Sequence, residues 1–143
     1  MTIAFSIRPF QTSDHAAVTA LWQAVELTRP WNDPSQDIAR KLTVQPTWFL
    51  VGSVDGDLVA SAMFGYDGHR GWVNYLAVSP SSQGKGYARK LMQAGETLLT
   101  EAGCPKLNLQ IRSSNASVIA FYEHLGYATD DVVSMGKRLI ADI

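Results

Sequence analysis

Apolar and polar residues along this chain fall into short segments, and each segment's period names an element. Phe5 and Ile7 alternate with polar neighbours, which predicts a strand from Phe5 to Phe10. Val18, Leu21, Trp22 and Val25 then recur at helical spacing behind Thr12 and Ser13, either of which suits a helix N-cap. Asp33-Pro34-Ser35-Gln36 announces a second helix. It has an acidic cap, a proline at the first helical position and a glutamine placed as in a capping box, with Ile38 and Leu42 facing inward. Trp48-Phe49-Leu50-Val51 and the run from Leu58 to Tyr66 predict two strands joined by a tight hairpin at Asp55-Gly56. Asp67-Gly68-His69-Arg70-Gly71 turns the chain into a further strand, Trp72 to Val78. A helix follows from about Tyr87 to Glu101 and stops at Gly103, with Pro105 beyond. Lys106 to Arg112 alternates as a strand, and Ala116 to Leu125 reads as a helix closed by Gly126. Val132 to Ile140 reads as a final strand, whose edge is suited to pairing with a second subunit. The predicted order is βααβββαβαβ, with room for a short extra strand near Tyr127. Hairpins imply antiparallel neighbours, and the crossover helix after Val78 implies one parallel pair.

Composition narrows the class. At 143 residues the chain reads as a single domain over 1–143, large enough for its own core. A net charge of −1 gives no basic field for nucleic acid. No apolar run is long enough for a membrane span, and Met1-Thr2-Ile3-Ala4-Phe5 lacks the pattern of a signal peptide, so the expectation is a cytoplasmic protein. The single cysteine, Cys104, excludes an internal disulfide and agrees with that compartment. No Cys/His/Asp cluster has metal-ligand spacing, so no metal is expected.

The stretch with the most chemistry in it is Gln83-Gly84-Lys85-Gly86-Tyr87-Ala88, set between a strand and a helix. Glycines there let backbone N–H groups converge on a ligand, and the helix N-terminus, Lys85 and Arg89 add positive charge. Such a place suits phosphate or pyrophosphate. A Walker A loop requires Lys-Ser/Thr after its last glycine, and Tyr87 fails that test. A dinucleotide fingerprint requires a third small residue where Arg89 stands. The remaining pattern, Gln/Arg-x-x-Gly-x-Gly/Ala, is met by Gln83, Gly86 and Ala88, and it resembles the pyrophosphate loop of the GNAT family of acetyl-CoA-dependent N-acetyltransferases. A second block is similar to that family's other signature. Asn115 opens a helix, Phe121-Tyr122 lie near its end, and Gly126-Tyr127 follow. The resemblance spans nearly the whole chain. Arg29-Pro30-Trp31-Asn32-Asp33-Pro34 and Tyr66-Asp67-Gly68-His69-Arg70-Gly71 further resemble the small bacterial YpeA-type members.

This resemblance implies an α/β fold with a mixed, mostly antiparallel sheet of roughly six or seven strands flanked by four helices. It implies transfer of acetyl from acetyl-CoA to a primary amine by direct attack in a ternary complex. The acceptor would be a small amine, an amino-acid derivative, or a protein N-terminus or lysine. It assigns the pantetheine arm to Leu76, Ala77, Val78 and Asn115, and the pyrophosphate to Gln83, Gly84, Lys85, Gly86, Tyr87, Ala88 and Arg89. Tyr122 becomes the general acid for the departing thiolate. Periodicity alone makes Tyr122 a core residue, since it shares a helix face with Val118 and Leu125. Glu26, Arg29, Trp31, Asn32 and Gln110 are candidates for the acceptor side. The general base stays open. The family's usual glutamates are replaced by the run Trp72-Val73-Asn74 and by Gln110, which keeps a non-catalytic acyl-CoA sensor as the alternative. Glu26, Asp33 and Asp37 border the acceptor region. Tyr66 and Tyr75 either line the cleft or pack. A monomer and a homodimer are both compatible with the sequence.

Overall fold

The computed structural model describes residues 4–142. Five strands and four helices alternate along the chain: β1 (Phe5–Pro9), α1 (His15–Ala24), α2 (Pro34–Lys41), β2 (Phe49–Val54), β3 (Asp57–Tyr66), β4 (Gly71–Val78), α3 (Tyr87–Glu101), β5 (Leu107–Asn108) and α4 (Ala116–His124). The strands form one sheet in the order β1-β2-β3-β4-β5, antiparallel except for the β4–β5 pair. Asp55 and Gly56 take left-handed φ values of 51° and 84°, as the tight β2–β3 hairpin demands.

Each face of the sheet has its own core. Phe10, Val18, Leu21, Trp22, Ile38, Phe49, Val51, Met63 and Ala77 pack under α1 and α2. Leu50, Ala60, Ala62, Phe64, Val73, Leu91, Met92, Leu99 and Tyr122 pack under α3 and α4. Strand alternation sends Phe49 and Val51 one way and Leu50 the other. β4 breaks that rule. Val73 and Ala77 are four apart yet lie in opposite cores, because the register slips between Met63↔Asn74 and Ser61↔Ala77. One extra residue in β4 flips every later side chain.

α3 approaches the sheet closely at Gly95, where a Cβ would stand 2.1 Å from the ring of Phe64. Alanine there gains about 1 kcal/mol of helix propensity. It loses more by driving α3 off a fully buried ring, so Gly95→Ala is expected to cost about 1–3 kcal/mol net and lower the melting temperature by several degrees. A melting temperature at or above wild type would mean that α3 has slack over β3.

Local expectations meet mixed outcomes. Asp33 caps α2 by accepting from the Ser35 N–H at 2.9 Å. The capping box is not completed by Gln36, which bonds Arg40; the Asp33 N–H donates instead to Asp142 at 2.9 Å. Neither Thr12 nor Ser13 caps α1. They lie in a 3-10 turn, where Asp14, gripped by Arg8, accepts from the Gln11 N–H at 2.8 Å. Beyond the start of β2, the last residues of β3 pair with β4 but have no strand on their other side. The Gln45 side chain takes that place, accepting from the Tyr66 N–H at 2.8 Å and donating to its carbonyl at 3.0 Å.

The predicted strand from Lys106 to Arg112 shrinks to Leu107–Asn108, and the final strand from Val132 to Ile140 does not form among the described residues. The sheet therefore has five strands rather than six or seven. The segment after Tyr127 is tied down by side chains. Asp130 accepts from Lys106 at 2.7 Å and from Asn108 at 2.8 Å, Gln110 donates to Ser134, Arg138 donates to Asn32, and Arg40 reaches Asp142 at 2.6 Å. Val133, Met135 and Leu139 stay exposed. The apolar pattern there expresses β propensity, but β5 is too short to template a neighbour.

Candidate active site

β4 and β5 pair only at Gly71↔Leu107 and Trp72↔Asn108 and then part. From Val73 to Val78 the edge of β4 that faces β5 has no strand partner, which leaves backbone groups there, apart from the Val78 carbonyl, open to an extended ligand. The β4 bulge, between Asn74 and Ala77, follows just beyond the parting. Tyr75 sits there with φ of +54°, a left-handed conformation that bulky residues seldom adopt.

Beyond Val78 the chain makes a short turn through Pro80–Ser82, and the Gln83 side chain donates back to the Val78 carbonyl at 3.1 Å. Gly84 and Gly86 have φ of 79° and 82°, with nothing within 4 Å of where a Cβ would stand. Gly86 is the N-cap of α3, and no side chain caps the helix. Its first N–H groups therefore remain available, with the positive end of the helix dipole behind them. Gln83, Gly84, Lys85 and Arg89 are exposed around this terminus. Tyr87 is different. Its ring is buried and stacks on Phe5 at 4.1 Å, so only its backbone faces the loop.

Tyr122 lies on α4 against the α3-side core, 7% exposed, edge-on to Phe121 at 5.1 Å and to Tyr127 at 5.6 Å. It belongs to the core, as periodicity suggested, and it also lines an open groove of about 1530 Å³ between β5, α4 and the segment after Tyr127, beside Ile111, Arg112 and Ser113. Burial alone pushes its phenol up to about 12, so the proton is held more firmly than in water. Asn115 caps α4, accepting from the Val118 N–H at 3.4 Å, and remains exposed.

The acceptor-side candidates scatter. Arg29 folds back onto the carbonyls of Glu26 and Thr28 at 2.7 and 3.0 Å and braces its own loop. Glu26 is exposed, with φ of +61°. Trp31 is half exposed, under the Arg112 guanidinium at 5.8 Å. Asn32 is engaged by Arg138, and Gln110 by Ser134. One pair that the sequence left undecided is drawn together. The Tyr75 hydroxyl donates to Asp37 Oδ2 at 2.6 Å, and burial together with that carboxylate pushes the phenol far above its ordinary value. No group of three or more His, Cys, Asp or Glu is placed to hold a metal among the described residues, and none of their helices is long and apolar enough to cross a membrane.

The sheet opens beside an uncapped, glycine-turned helix N-terminus, a place suited to an extended, phosphorylated ligand. The sequence profile described as the acetyltransferase (GNAT) family matches residues 15–127, and the chain belongs to that family, whose members use acetyl-CoA. The chain is 51% identical to an acetyltransferase of Yersinia enterocolitica, over 95% of this chain and 96% of that relative. Among solved structures it is similar to Ard1 from Thermoplasma volcanium, with a TM-score of 0.79, 25% identity, and 87% of this chain and 83% of the other covered. Its fold is shared by the aminoglycoside N-acetyltransferase AAC(6')-Iy, solved with CoA, at a TM-score of 0.75, 17% identity and 98% coverage of each chain.

Proposed function

We propose that the chain transfers acetyl from acetyl-CoA to a primary amine by direct attack in a ternary complex, within a single domain. The observation that carries this reading is the unpaired edge of β4 running into the uncapped N-terminus of α3. The pantetheine arm lies along Leu76, Ala77 and Val78 and meets Asn115. The pyrophosphate takes the N–H groups of the loop from Gln83 to Arg89, with the charges of Lys85 and Arg89. Free N–H groups of β4 polarise the acetyl carbonyl. Tyr122 gives its proton to the thiolate as the carbon–sulfur bond breaks. The amine enters from the α1–α2 side, past Trp31 and Asn32. It is a small amine, an amino-acid derivative or a peptide amine.

Thermal unfolding with acetyl-CoA, against NAD and ATP as controls, tests the reading. A ligand at about 100 times its Kd adds roughly 2.7 kcal/mol, which is several degrees. A shift with acetyl-CoA alone is the expected result. Equal shifts with all three, or none, would remove the pyrophosphate assignment.

A further inference from the structure

We propose that the Tyr75 hydroxyl, held by the Asp37 carboxylate, takes the proton from the attacking amine. The inference rests on the acetyl-transfer reading and supplies the proton acceptor that this reading lacks.

Four observations converge on Tyr75. First, the bulge decides which way the side chain points. Leu76 and Val78 pack with the α3-side core, whereas Tyr75 and Ala77 belong to the α1–α2 side. Tyr75 therefore faces the side opposite Tyr122, and it immediately precedes the residues assigned to the thioester arm. Second, the residue is held in an unusual conformation by two contacts whose partners are themselves bonded to each other. Its ring stacks on Trp22 at 3.8 Å, its carbonyl accepts from Ser61 Oγ at 3.0 Å, and Ser61 Oγ accepts from Trp22 Nε1 at 2.9 Å. Backbone strain that the surroundings enforce this heavily gathers where a side chain must be aimed. Third, the phenol donates its only proton to Asp37, which leaves the oxygen's lone pairs free to accept from an N–H. Fourth, Tyr75 and Asp37 are only partly buried, so an amine can reach the pair.

The charged groups around Tyr75 fit the role. α2 brings Asp33, Asp37 and Arg40, and the C-terminal segment brings Asp142; α1 presents the apolar face of Trp22. Arg40 bonds Asp37 Oδ1 at 3.3 Å and Asp142 at 2.6 Å, so one oxygen of Asp37 is compensated while the other serves the tyrosine.

The step balances. As the amine nitrogen bonds to the acetyl carbon, one N–H proton passes to the Tyr75 oxygen, and the tyrosine's own proton passes to Asp37 Oδ2. The carbon–sulfur bond breaks, and the sulfur takes the Tyr122 proton. Exchange with water returns a proton to Tyr122 and removes one from Asp37. The net transfer is one proton from nitrogen to sulfur. Tyr75 touches the substrate, and Asp37 acts through it as a positioning residue and proton store.

The test follows thiol release from acetyl-CoA by the full chain with L-lysine, spermidine, kanamycin and an alanyl dipeptide as acceptors. Wild type is compared with Tyr75→Phe, Asp37→Asn and the double variant. Tyr75→Phe keeps the stack on Trp22. Each single change is expected to lower kcat by about 10²-fold or more while KM for acetyl-CoA and the acetyl-CoA melting shift stay as in wild type. The double variant should be no slower than the slower single, because the two groups act in series. Asp37→Glu should recover part of the rate. Wild-type kcat in Tyr75→Phe overturns the proposal. So does a fully additive double variant, or a rate loss that tracks a lost acetyl-CoA shift. A wild-type chain that binds acetyl-CoA yet releases thiol with none of these amines and with water counts against the transfer reading itself. A wild type that turns over while Tyr75→Phe matches it counts against the pair alone.

Discussion

Tyr122→Phe is expected to lower kcat by about 10²–10⁴-fold while leaving acetyl-CoA binding intact. Phenylalanine keeps the ring and with it the edge contacts to Phe121 and Tyr127. The core under α3 and α4 is therefore not opened, and the melting temperature should move little. What is lost is a proton donor that burial holds at about 12. Because that value lies above the ordinary one for tyrosine, the group stays protonated through neutral pH and loses its proton only as pH rises through the shifted value. The rate of the wild-type enzyme should accordingly show no alkaline fall from Tyr122 near pH 10, where a free phenol titrates. Stopped assays of thiol release across pH for both proteins decide the matter. A variant with wild-type kcat would return Tyr122 to a purely packing role.

The second large effect is expected at Gly86. Gly86→Val places a branched side chain where φ is +82° and where no protein atom lies within 4 Å of the new Cβ. The left-handed conformation costs roughly 1–2 kcal/mol for a residue with a side chain. More important, the methyl groups enter the open space beside the start of α3, where the pyrophosphate is assigned. Each 1.4 kcal/mol of lost contact is about a tenfold rise in Kd, so loss of several charge-assisted hydrogen bonds should raise Kd by about 10²-fold or more. Titration calorimetry with acetyl-CoA measures this directly. An unchanged Kd would take the α3 terminus out of the binding site.

Local chemistry was legible where one or two residues decide the backbone. Asp55-Gly56 determines a hairpin, Asp33-Pro34 a helix start, and Gly84 and Gly86 a left-handed loop, and each is where the sequence puts it. The bulge at Tyr75 was not legible. A tyrosine carries no local preference for positive φ, and the conformation is held by Trp22 and Ser61, far away in sequence. That hidden slip also left open whether Tyr75 lines the cleft or packs, since simple alternation misassigns every side chain after it. The last strand failed for a related reason. Val132, Val133, Leu139 and Ile140 have strand-like character, but a strand needs a neighbour's backbone, and β5 offers only two residues. Gln36 illustrates the same limit at smaller scale, because the partner that took its place, Asp142, comes from the other end of the chain.

Two residue pairs are a thin seam between β4 and the part of the molecule that carries β5 and α4. Amide hydrogens in β5 and α4 should therefore exchange with deuterium well before those of β2 and β3, which are paired along their length and buried. A long flexible molecule laid across that seam would act as a stitch. It would slow the exchange in β5 and α4 together, and so turn two loosely joined portions into one that opens as a unit.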